Sequence, residues 1–151
     1  MNEIRENREV LNTLNVNMIN CIKVGSYGRN SSAIYAYLTN GEIKQISMPI
    51  YNFMIKQRIT RDFVEKHIKP IIRRSLTSVG GGIACVNFHN VAEFEIEPCS
   101  DRKNARVEAL FKSGANAFLY TVPVHHQFDE QEKLNDLLSL TPSALTGEDQ
   151  Q

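Results

Sequence analysis

Three things are missing from this chain: a net charge, a cysteine framework, and an apolar run long enough to cross a bilayer. Seventeen Lys and Arg balance seventeen Asp and Glu, which removes any global electrostatic pull toward nucleic acid or a membrane surface. The three cysteines, Cys21, Cys85 and Cys99, are odd in number and widely spaced. That count argues against a disulfide scaffold and for free thiols in a reducing compartment. No apolar stretch approaches the ~18 residues that a membrane-spanning helix needs, and the opening MNEIRENREV has no signal-peptide core. The expectation is a cytoplasmic protein with no membrane attachment.

What is present suits a globular domain that buries its own core without metal or disulfide staples. Residues 1–140 are expected to form a single α+β domain, and 141–151 (TPSALTGEDQQ) a disordered tail. Residues 2–14 read as a polar helix with Ile4, Val10, Leu11 and Leu14 on its apolar stripe. A strand follows from Met18 to Val24, then a turn-rich loop from Gly25 to Asn30. Ser32–Thr39 alternates Ile34, Ala36 and Leu38 against Tyr35 and Tyr37. Asn40-Gly41 is a strong hairpin signal and predicts a type I′ turn, in which both residues take positive φ. Glu42–Met48 returns as the partner strand.

The stretch 58–82 organises the rest. It reads as a helix capped by Thr60 and running to about Ser78, with Val64, Ile68, Ile71 and Ile72 as its apolar side. Pro70 should kink it or split it in two, because proline removes a backbone bond and crowds the carbonyl four residues back. Gly80-Gly81-Gly82 is read as the helix stop. Beyond it, Ile83–Phe88, Ala92–Glu97, Ala105–Lys112 and Ala117–Val124 read as strands, the last with Phe118, Tyr120, Val122 and Val124 on one face. Phe128–Leu140 closes as a helix whose stripe is Leu134, Leu137 and Leu138, with Asp129 and Glu132 in a capping-box-like pair. The sum is an α+β fold of about six antiparallel strands in two meanders, in the order helix-βββ-helix-βββ-helix.

Candidate chemistry is sparse. Val24-Gly25-Ser26-Tyr27-Gly28-Arg29 resembles the opening motif of the nucleotidyltransferase superfamily, in which backbone amides and a serine hold a nucleotide phosphate. The resemblance implies a downstream Asp-x-Asp or Asp-x-Glu pair to carry magnesium. The window Asn30–Glu42 has no aspartate and only Glu42, so that pair is missing. His125, His126 and Asp129 are suitable metal donors, but adjacent strand residues point in opposite directions. Cys85 has His89 as its only nearby base in sequence. No catalytic residue, metal site or cofactor is assigned, and the reading leans away from an enzyme.

Charge is unevenly distributed. Lys56–Arg74 holds seven basic and two acidic residues, whereas Phe128–Gln151 holds six acids and one lysine. The chain therefore reads as an accessory or regulatory protein that binds a protein partner through Tyr27, Tyr35 and Tyr37, with homodimerisation as one form. The element order also looks like that of the small secretion chaperones, which dimerise and hold unfolded segments. Those proteins are strongly acidic, and this chain is neutral. One alternative is nucleic-acid or phosphate binding by Arg29, Arg58, Lys66, Lys69 and Arg73, with tyrosines stacking on bases. Another is a small enzyme taking a phosphate-containing substrate at the Gly25–Arg29 loop.

Overall fold

Strand alternation builds the first half of the molecule. In β2 (Ser31–Leu38), Ile34, Ala36 and Leu38 are buried while Tyr35 and Tyr37 turn the other way. β2 pairs antiparallel with β1 (Ile19–Ser26), which sets Val24 opposite Ile34 and Ile22 opposite Ala36. β3 (Ile43–Gln45) and β4 (Ile50–Tyr51) both pair with β2. A computed structural model of the chain describes residues 4–71 and 76–140. Ile72, Arg73 and the expected tail 141–151 lie outside the described residues. The chain divides into two compact units, Met1–Asn87 and Phe88–Gln151. The fold is α+β, and among the described residues every strand pair is antiparallel.

The sheet of the first unit gains two strands that local sequence does not connect to it. β6 (Ala84–Val86) pairs with β1, placing Cys85 opposite Ile22, and β5 (Thr77–Val79) pairs with β6. The order is β3-β2-β1-β6-β5, with β4 alongside β2. One face of this sheet is covered by α1 (Arg8–Thr13), by α2 (Ile59–Phe63) and by the turns that follow α2. Leu11, Ile22, Ile34, Phe63, Val64 and Ile68 are central to the resulting core. Ahead of α1 the chain is extended, not helical. Asn7 N–H donates to Ile46 C=O at 2.9 Å, and Met48 N–H donates to Arg5 C=O at 2.8 Å.

The long helix expected over 60–78 is shorter and irregular. α2 passes into a π-helical turn at Val64–Ile68 and a 3-10 turn at Lys69–Ile71, and Thr77–Val79 is already strand. Pro70 supplies the reason. A regular helix would press its ring against the carbonyl of Lys66, and the wider turn, closed by Lys69 N–H on Val64 C=O, relieves that crowding. The cap position is Arg58, and Thr60 is fully buried. Gly80-Gly81-Gly82 does not stop this helix; it joins β5 to β6. Gly82 C=O then accepts the Arg61 N–H at 3.0 Å, satisfying an amide in the first turn of α2.

The Asn40-Gly41 hairpin forms, but not with a type I′ turn. Only Gly41 takes positive φ, at 92°. Gly41 N–H donates to Leu38 C=O at 3.0 Å, and Leu38 N–H donates to Glu42 C=O at 2.9 Å. That is a three-residue loop closed by a glycine bulge. Gly114 repeats the arrangement between Phe111 and Ala115.

In the second unit β7 (Val91–Pro98), β8 (Asn104–Phe111) and β9 (Asn116–Pro123) form a meander, and α3 (Gln127–Leu140) lies against β7 and β9. Phe94, Ile96, Val107, Ala109 and Tyr120 are buried, and so is Leu134 of α3. Gln127 and Gln131 donate to the carbonyls of Ile96 and Phe94 at 3.1 and 3.0 Å, covering the outer edge of β7. A bulge shifts the register of β9: Val107 faces Tyr120, but Glu108 faces Phe118. Phe118 therefore leaves the face of Tyr120 and lies under Arg106, whose guanidinium is 4.3 Å from the ring centroid.

Candidate functional site: the tyrosine face

In paired strands, directly opposed residues share a face. Across β1, β2 and β3, Lys23 faces Tyr35, Tyr35 faces Gln45, and Tyr37 faces Ile43. β4 adds Tyr51 opposite Ser31, and Ser31 lies on the same side of β2 as Tyr35 and Tyr37. Tyr27 stands just past the end of β1, its N–H donating to Ser31 C=O at 3.0 Å. The first unit thus collects Tyr27, Tyr35, Tyr37 and Tyr51 on the side of the sheet that faces away from its helices.

Two of these rings are fixed and two reach outward. The Tyr35 hydroxyl donates to Ser26 C=O at 2.7 Å. The Lys23 ammonium sits 4.7 Å from the centroid of the Tyr37 ring, within cation–π range. Burial pushes the Tyr35 hydroxyl above its ordinary value, with Tyr37 and Tyr27 adding to the rise. Burial does the same for Tyr37, with Cys21 contributing. By contrast Tyr27 is 42%, Ile43 56% and Tyr51 61% exposed. Phe53 is exposed too, its ring stacked 5.9 Å from that of Tyr51.

The sequence therefore pointed to Tyr27, Tyr35 and Tyr37, and the structure brings these three together. It missed Tyr51 and Ile43. A two-residue strand after Pro49 leaves little periodicity to read, and only the apolar-aromatic pair Ile50-Tyr51 hints at it.

The basic residues are spread over different local structures. Arg29 is exposed in the β1–β2 loop, Arg58 occupies the cap of α2, and Lys66 is on the π-helical turn. Lys69 pairs with Glu65 at 3.1 Å. Arg73 lies outside the described residues. Because the helix changes pitch at Val64, Lys66 and Lys69 do not continue a regular α-helical spacing from Arg58.

The other candidates resolve simply. His125 and His126 stand in a 3-10 turn, not at the end of a strand, and their rings lie side by side with centroids 4.2 Å apart. Among the described residues no group of three or more His, Cys, Asp or Glu side chains could hold a metal ion. Burial pushes the thiols of Cys21 and Cys85 up to about 12, far from a reactive thiolate. No described helix is long and apolar enough to cross a membrane. No family model, curated protein or solved structure matches the chain.

Proposed function

We propose that the chain is a non-enzymatic accessory protein of a reducing, cytoplasmic compartment, and that it binds a protein partner through its tyrosine face. One arrangement carries the reading: Tyr27, Tyr35, Tyr37, Tyr51 and Ile43 share one side of the six-stranded sheet. Tyrosine gives large contact area while fixing only two side-chain torsions, and it keeps a polar tip for hydrogen bonding. Tyr35 and Tyr37 are already anchored by Ser26 and Lys23. A partner would therefore lose less side-chain freedom in ordering them. Around that fixed centre, Tyr27, Tyr51 and Ile43 supply the exposed apolar area that interface cores favour.

The test replaces Tyr27, Ile43 and Tyr51 together with serine. The triple variant should melt within a few degrees of the parent, because all three side chains are largely exposed. It should also lose any protein that the parent retains after nuclease treatment. Light scattering on both proteins reads self-association through the same face. Retention that persists in the variant removes the tyrosine face from the account. Retention that disappears with nuclease moves it to Arg58, Lys66 and Lys69.

A further inference from the structure

Two imidazoles come together where β9 passes into α3. Pro123, the last residue of β9, keeps extended backbone (φ −58°, ψ 142°), and the chain then tightens into the 3-10 turn Val124–His126. Val124 N–H donates to Lys103 C=O at 2.8 Å, which ties the turn to the loop ahead of β8. Gln127 is already helical, so the backbone of His125 and His126 is fixed on both sides. In a strand these neighbours would point to opposite faces. A 3-10 turn sets them about 120° apart instead, since it has three residues per turn. Their ring centroids lie 4.2 Å apart, with the planes inclined at 43°.

Both side chains are exposed, so each ring can turn about its own bonds to aim a nitrogen at a shared ion. Metal-bound imidazole nitrogens stand about 2.0–2.1 Å from the ion, which places two ring centres about 4.5 Å apart at a right angle and about 5.2 Å apart at a tetrahedral angle. The observed 4.2 Å is nearer the right angle. Right-angled nitrogen donors belong to tetragonal or square-planar coordination, the preference of Cu²⁺ and Ni²⁺, whereas Zn²⁺ favours the tetrahedron. Asp129 and Glu130 follow in the first turn of α3. Their carboxylates offset the positive end of that helix, which would otherwise repel a cation.

We propose that His125 and His126 chelate one late first-row divalent ion of tetragonal preference, Ni²⁺ or Cu²⁺, with water in the positions that the two imidazoles leave. Chelation needs both rings, because a single exposed imidazole has no second donor to hold the ion when its bond breaks. Mg²⁺ and Ca²⁺ do not suit the site, since they take oxygen ligands. The site is built from the second unit alone and owes nothing to the tyrosine face.

The experiment titrates the full chain, carrying no histidine tag, with NiCl₂ and with ZnCl₂ by calorimetry. Trace CuCl₂ is added in parallel NMR spectra, where the paramagnetic ion broadens the amides near it. One Ni²⁺ should bind per chain, more tightly than Zn²⁺, and the broadening should centre on Val124–Phe128. His125→Ala and His126→Ala should each weaken Ni²⁺ binding at least tenfold. The double variant should be no weaker than either single one, because losing one ring already ends chelation. Dispersed spectra report that the variants fold, as substitution of exposed side chains allows. Single substitutions that leave the affinity within twofold would overturn the proposal. So would broadening centred on His67 or His89, tighter binding of Zn²⁺ than of Ni²⁺, or no saturation at millimolar Ni²⁺.

Discussion

Gly25 lies directly beneath the ring of Tyr35: a Cβ on that glycine would stand 3.1 Å from Tyr35 Cδ1 and 3.2 Å from Cε1. The ring cannot simply swing away, because its hydroxyl is tied to Ser26 C=O. Gly25→Ala should therefore destabilise the protein by about 1 kcal/mol, the overpacking strain exceeding the smaller gain from a stiffer unfolded chain. Urea unfolding measures it. In a Tyr35→Ala background the same substitution should become neutral or stabilising, since the coupling belongs to the pair.

Gly82 and Gly114 share nearly the same backbone, with φ of 101° and 97°. A Cβ at Gly114 meets nothing within 4 Å, whereas at Gly82 it comes within 3.0 Å of Arg58 Cα. Gly114→Ala should then cost only the backbone strain, about 1–2 kcal/mol. Gly82→Ala adds a contact with main chain and disturbs the carbonyl that accepts the Arg61 amide, so about 3 kcal/mol or more is expected. Equal midpoints in urea would show that the glycine loop does not hold the start of α2.

Cys21 and Cys85 have their thiols raised from 9.0 to about 12, chiefly by burial. Folded-state values above the unfolded ones mean that their contribution is complete below pH 9 and lost as pH rises from 9 toward 12. Each thiol can contribute a slope of about 1.4 kcal/mol per pH unit inside that window. Stability by urea should be flat from pH 7 to pH 8.5 and fall above pH 9. Cys21→Ala should make the fall shallower. Above pH 10 Tyr35, Tyr37 and Tyr120 act in the same direction, since each is raised from 10.0. Tyr120 is raised by burial and by the Glu130 carboxylate that its hydroxyl bonds.

How far the sequence could be read depends on the range of the interactions involved. Ile34, Ala36 and Leu38 alternate with Tyr35 and Tyr37 within one strand, so the tyrosine face was legible from local pattern alone. The hairpin at Asn40-Gly41 was legible, but its turn class was not. Asn40 spends its side chain on Glu42, its Oδ1 accepting the Glu42 N–H at 2.9 Å, and keeps negative φ. The attachment of β6 to β1 was beyond local reading, because Cys21 faces Val86 across most of the first unit. The helix over 60–78 was overextended for another reason. The apolar spacing continued past Pro70, and the pairing of Thr77–Val79 with β6 then outweighed helical propensity. At Phe118 a single bulged residue reversed an alternation that the sequence showed clearly.

The central claim is that the tyrosine face meets a protein, and site-specific photocrosslinking in the native cell tests it most directly. A benzophenone side chain would replace Tyr51, Tyr27 or, as a control in the second unit, the exposed Lys112. The account predicts one discrete protein adduct, of the same mass shift, from positions 51 and 27 and none from 112. No adduct from either tyrosine position, or the same pattern from all three, would contradict it.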